Sequence, residues 1–100
     1  MDIIEITDNA IDAIKKFKID LQINEDQSVR IGIHNKNEIN RHLYIGFDKK
    51  TEKDNTFETK GITVIFSKTD IFFFAGMKID FTEKDGRKGF TFAEQKKSSI

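Results

Sequence analysis

The feature that most constrains the fold of this chain is a two-residue alternation of apolar and polar side chains, in short runs, repeated along most of its length. Val29, Ile31 and Ile33 alternate with Arg30 and Gly32, and Leu43, Ile45 and Phe47 alternate with Tyr44 and Gly46. Successive side chains of a strand point to opposite faces, so this period marks strands with one face buried. Met77, Ile79 and Phe81 repeat the pattern, and Gly89-Phe90-Thr91-Phe92 returns it after Asp85-Gly86, a pair suited to a tight hairpin turn. Ile62-Thr63-Val64-Ile65-Phe66 is apolar almost throughout and is expected to be a central strand.

One segment has a different period. Ala10, Ile11, Ile14, Phe17 and Leu21 recur at helical spacing, while Asp12, Lys15, Lys16 and Lys18 fall mostly on the other side. Thr7 is the expected N-cap, and Asp8 places a negative charge in the first turn, where the helix dipole favours it. Asn24 to Ser28 and Asp48 to Thr56 are polar or charged and read as solvated connections. Ser67 is expected to cap a short helix through Ile71-Phe72-Phe73-Phe74, ended by a left-handed turn at Gly76. Ala93 to Ile100 reads as a flexible tail, leaving residues 1–92 as the domain.

These elements predict a mainly β, α+β fold: an N-terminal helix on a compact antiparallel β sandwich or partly closed barrel. With 100 residues there is one core, burying roughly 60 to 65 per cent of the unfolded surface. Seventeen basic residues balance seventeen acidic ones, which gives no field to gather nucleic acid or anionic lipid. The start, Met1-Asp2-Ile3-Ile4-Glu5, lacks a signal-peptide pattern and no window reaches membrane-spanning length, so the expectation is a cytoplasmic protein. There is no cysteine, which excludes disulfides, thiolate nucleophiles and cysteine-ligated zinc or iron-sulfur clusters.

The succession of segments resembles the HesB/IscA-type iron-sulfur carriers. The residues concerned are Ile6-Thr7-Asp8 before the Ala10, Ile11, Ala13, Ile14 helix; Arg30-Ile31-Gly32-Ile33; Phe47-Asp48; Gly61-Ile62-Thr63-Val64; Gly76 with Ile79-Asp80-Phe81; and Gly89-Phe90-Thr91-Phe92. The resemblance implies a compact, mainly antiparallel β fold with a long N-terminal helix. It also implies one loop cysteine and a Cys-x-Cys pair in the tail. Here the loop position falls on Glu38, among Asn35, Lys36, Asn37 and Asn40, and the tail from Ala93 has no such pair. A carboxylate is a hard ligand and does not replace three soft thiolates, so no cluster is expected.

The expected function is therefore a non-enzymatic accessory, regulatory or protein-interaction role related to iron-sulfur cluster assembly, with a protein partner, the assembly machinery being one such partner. The alternative is a mononuclear zinc or iron site built from His34, Glu38 and His42. These are symmetrically spaced about the loop centre, and a hairpin folded about Glu38 sets the two histidines opposite each other. Ile71-Phe72-Phe73-Phe74-Ala75 is too apolar all round for an exposed short helix, so some of it must be buried in the core or at an interface, a homodimer being one such interface. Asp80 and Glu83 have acid/base chemistry but no catalytic arrangement around them in the sequence, and no phosphate-binding glycine loop or Ser-His-Asp order appears.

Overall fold

The structure, a computed structural model, describes residues 4–34 and 42–94. The loop residues Asn35, Lys36, Asn37, Glu38 and Asn40, and the tail beyond Glu94, lie outside the described residues. The order is β1 (Ile4–Ile6), α1 (Asp8–Asp20), β2 (Ser28–His34), β3 (His42–Asp48), β4 (Asp54–Thr59), β5 (Ile62–Ser67), α2 (Ile71–Phe74), β6 (Met77–Lys84) and β7 (Arg87–Glu94), with a 3-10 turn, Lys68–Asp70, before α2.

The strands form two open sheets, ordered β1-β6-β7 and β3-β2-β5-β4. The mainly β, α+β expectation holds, in the form of two sheets around one core and not of a barrel. Pairing is mainly antiparallel, with two parallel pairs: β1 beside β6 and β2 beside β5. Because β5 sits between β2 and β4, its apolar run is buried on both faces: Val64, Ile65 and Phe66 are all at most 1% exposed.

α1 begins where its chemistry dictates. The Thr7 hydroxyl accepts a hydrogen bond from the Ala10 amide, and the same hydroxyl donates to Asp80 Oδ1 at 2.6 Å. Thr7 N also donates to the Ile79 carbonyl, so the β1–α1 junction is fastened to β6. Ala10, Ile11 and Ile14 are buried, but the expected stripe stops there: Phe17 is 38% exposed and Leu21 61%. Leu21 is the C-cap residue, beyond the last turn. It lines an apolar groove of about 250 Å³ bounded by Ile45, Phe47 and Phe90 instead of entering the core.

The core joins both sheets to α1 and α2 through Ile4, Ile6, Ile14, Val29, Ile31, Val64, Phe66, Phe74 and Ile79. Phe66 and Phe74 meet edge to face at 5.9 Å, an arrangement aromatic quadrupoles favour. The Phe72-Phe73-Phe74 run divides sharply, since Phe74 is fully buried, Phe73 half-buried and Phe72 91% exposed. Ser67 occupies the cap position of the 3-10 turn without a capping bond to backbone; its hydroxyl pairs with that of Thr69 at 3.0 Å, and α2 is a single turn. Gly76 has the expected positive φ, 81°, and Asp85-Gly86 turns with φ of 54° and 78°, the double positive φ of a type I′ hairpin.

Two boundaries differ from expectation. β4 starts at Asp54, which is buried and not part of a solvated connection. β7 continues through Ala93 and Glu94, which pair with Lys78 and Met77, two residues past the boundary expected at Phe92.

Candidate functional site

The β2–β3 hairpin presents two chemistries on one face. Its alternation turns Val29, Ile31, Ile33, Leu43, Ile45 and Phe47 toward the core. The remaining positions share the opposite face in register: Ser28 with Asp48, Arg30 with Gly46, Gly32 with Tyr44, and His34 with His42.

At the loop end, the Tyr44 ring folds across β2 and lies where a Cβ of residue 32 would be. Only glycine leaves that space free. His34 stacks on the same ring at 4.4 Å with planes 24° apart. His34 and His42 are both exposed and stand directly opposite each other. The sequence-derived opposition of the two histidines is therefore present, while Glu38 lies outside the described residues. Among the described residues, no group of three or more His, Cys, Asp or Glu is arranged to hold a metal ion.

At the other end, Arg30 organises a charged network. Its Nη1 and Nη2 donate to Oδ1 and Oδ2 of Asp54 at 2.9 and 2.6 Å, and its Nε donates to Asp48 Oδ2 at 2.8 Å. The bridge crosses β5, where Ile65, paired with Arg30 on one side and Thr56 on the other, is wholly buried. Asp54 also accepts from the amide and hydroxyl of Thr51 at 2.8 and 3.1 Å. The bidentate bond from Arg30 holds the Asp54 carboxyl far below the ordinary carboxylate range, and Asp54 in turn holds the guanidinium firmly protonated. With four hydrogen bonds accepted and a side chain 3% exposed, Asp54 is committed to structure and has nothing to offer a ligand. Sequence reading missed this residue because its partner lies two strands away.

Asp80 is likewise committed. It accepts from Thr7 and from the Phe81 amide, and the Thr7 hydroxyl is the main cause of its lowered carboxyl pKa. Glu83 is exposed and faces Lys88 across the β6–β7 hairpin. An open groove of about 580 Å³ runs between α1 and this hairpin over Phe17 and Phe81, and its charged residues, Asp12, Lys16, Asp20, Glu83 and Lys88, are all exposed.

This architecture, two open sheets with one N-terminal helix, is that of a known class. The chain belongs to the iron-sulphur cluster biosynthesis family, whose sequence model matches residues 3–99. The HesB/IscA-type resemblance read from the sequence is thereby established. Among solved structures, Escherichia coli SufA, described as involved in biosynthesis of iron-sulfur clusters, aligns with a TM-score of 0.71 at 17% identity over 91% of this chain and 84% of its own. IscA with a [2Fe-2S] cluster gives 0.70 at 16% identity, covering 91% and 81%. A protein from Aquifex aeolicus gives 0.64 at 23% identity, covering 93% and 92%. At these identities the likeness concerns the fold. A direct comparison with curated protein sequences finds no significant match.

Proposed function

We propose that this chain serves iron-sulfur cluster biosynthesis as a non-enzymatic accessory or regulatory protein in the cytoplasm, acting by contact with assembly proteins and holding no cluster itself. The observation that carries this reading is the combination of a family match over residues 3–99 with a sequence free of cysteine. Iron-sulfur clusters are held by charge-donating thiolates, and the residue at the loop ligand position, Glu38, is a hard carboxylate.

The chemistry of the grooves supports a non-catalytic role. Catalysis draws on titratable groups perturbed by burial within a cleft. The two carboxyl groups with lowered pKa, Asp54 and Asp80, are tied to Arg30 and Thr7, and the charges around the groove between α1 and the β6–β7 hairpin stand in water. Phe72, 91% exposed beside half-buried Ile71 and Phe73, supports α2 as part of the partner-binding surface.

Anaerobic reconstitution with iron and sulfide tests the first half of the reading. The expected product has no cluster absorbance and no bound sulfide; a stable cluster would overturn the proposal. Affinity capture with the purified chain tests the second half. Recovery of iron-sulfur assembly proteins by the wild type, reduced for Phe72→Ala, is expected. Recovery of none counts against a role in assembly, and sedimentation that reports a Phe72-dependent dimer would reassign the surface to a second copy.

A further inference from the structure

We propose that His34 and His42 form a cross-strand two-imidazole site for a divalent cation of the copper or zinc class. Three observations carry it. First, the two residues are direct partners in the β2–β3 ladder, which places their Cβ atoms about 5 Å apart on the same face, a spacing from which two imidazoles converge on one ion. Second, His34 is held by stacking on Tyr44 at 4.4 Å, and Tyr44 is held in turn over Gly32, so one ligand is ordered before any ion arrives. Third, both residues are exposed, so the pair is open to solvent ions.

The donor set fixes the class of ion. Imidazole nitrogen is an intermediate donor that suits copper, zinc, nickel and iron, whereas magnesium and calcium require oxygen. With two protein ligands, water completes the coordination, so the ion is exchangeable and open to a further ligand. Both ligands lie among the described residues, and they are the only two histidines in the sequence, so no other imidazole competes.

The chain carries its own reporter: Tyr44 is the single tyrosine, there is no tryptophan, and Tyr44 touches one of the two rings. Adding CuSO4 to the full chain without a histidine tag should quench its fluorescence saturably at one ion per chain. ZnCl2 should compete, and millimolar MgCl2 should not. Calorimetry with ZnCl2 provides a measurement independent of Tyr44, since His34→Ala also removes the stacking ring. There, His34→Ala and His42→Ala should each weaken zinc binding at least tenfold, the scale on which loss of a supporting group alone acts at metal sites. The double variant should be no weaker than either single one, because a two-point site is lost with either ligand. Absence of saturable binding, or single variants each within about twofold of wild type with only the double variant inactive, would overturn the proposal in favour of two independent surface histidines. Both residues are exposed, and unchanged far-ultraviolet circular dichroism is the check that the variants fold.

Discussion

Arg30 and Asp54, on strands separated by β5, are joined by two parallel hydrogen bonds of 2.9 and 2.6 Å, with side chains 15% and 3% exposed. A fork of this kind fixes both distance and angle, and here it ties β2 to the edge strand β4 over Ile65. Removing Asp54 leaves Nη1 and Nη2 of Arg30 without a carboxylate, and removing Arg30 leaves the buried Asp54 carboxylate with only its bonds from Thr51. Asp54→Ala should therefore cost about 3 kcal/mol in urea unfolding, the scale for breaking such a pair. Arg30→Lys keeps the charge but loses the fork, so its cost should be smaller yet measurable. A double-mutant cycle of Arg30→Ala with Asp54→Ala should give a coupling energy well above the roughly 1 kcal/mol limit of exposed pairs. A coupling near zero would show that the fork contributes nothing to stability.

The same pair sets the response to acid. The Asp54 carboxyl is depressed chiefly by the hydrogen bond from Arg30, and the Asp80 carboxyl chiefly by that from Thr7. Below the ordinary carboxylate value, about 4, the unfolded chain takes up these protons while the folded chain still resists them. Stability contributed by the two groups is thus complete at neutral pH and declines as pH falls through that value toward the depressed ones. Thermal midpoints measured from pH 7 to pH 2.5 should fall below pH 5, and Asp54→Asn should flatten the descent. An unchanged slope in that variant would exclude Asp54 as a source.

Gly32 and Tyr44 make the opposite kind of contact, in which one side chain fills the space another lacks. A Cβ at position 32 falls inside the Tyr44 ring, so Gly32→Ala must push the ring aside. The expected cost is about 1 to 3 kcal/mol, the range for overpacking. The displaced ring also leaves His34, so the fluorescence of this single tyrosine should change in the folded state. Combining Gly32→Ala with Tyr44→Ala should recover part of the loss.

Much of this was legible in the sequence, and what escaped did so for physical reasons. The buried face of the β2–β3 pair follows from a strict period of two, since a one-residue slip would turn Val29, Ile31 and Ile33 into solvent, and the opposition of His34 and His42 follows from their symmetric spacing about Glu38. Tyr44 opposite Gly32 follows from the same register two pairs further in. Asp54 was hidden because a charged segment looks solvated until the strand carrying its partner is placed nearby. Leu21 kept the helical spacing but lies one residue past the end of α1, where the spacing no longer places it over the core. The Phe72-Phe73-Phe74 run has no polar residue to give it a period, so nothing in it says which ring is buried.

That run yields a direct comparison. Phe74 is fully buried against Phe66, whereas Phe72 is 91% exposed. Phe74→Ala should cost about 3 to 5 kcal/mol by lost contacts and a cavity, and Phe72→Ala about 0.5 kcal/mol or less. Urea midpoints for both variants check this. Similar losses at the two positions would mean that Phe72 is covered in solution, and sedimentation of the same samples would reveal by what.

The Thr7 hydroxyl does two jobs at once, accepting from the Ala10 amide at 3.2 Å and donating to Asp80 at 2.6 Å. Loss of an N-cap costs about 1 kcal/mol, so Thr7→Ala should be destabilising by at least that amount. Thr7→Ser retains the hydroxyl and should remain close to wild type. The second job has its own signature: without the hydroxyl, the Asp80 carboxyl loses the largest cause of its depression and should titrate nearer the ordinary carboxylate range. Carboxyl chemical shifts followed through an acid titration would show Asp80 moving upward in Thr7→Ala and staying in place in Thr7→Ser. If both variants titrate like wild type, the backbone amide of Phe81, at 2.8 Å, is sufficient to hold the charge and Thr7 serves only the helix.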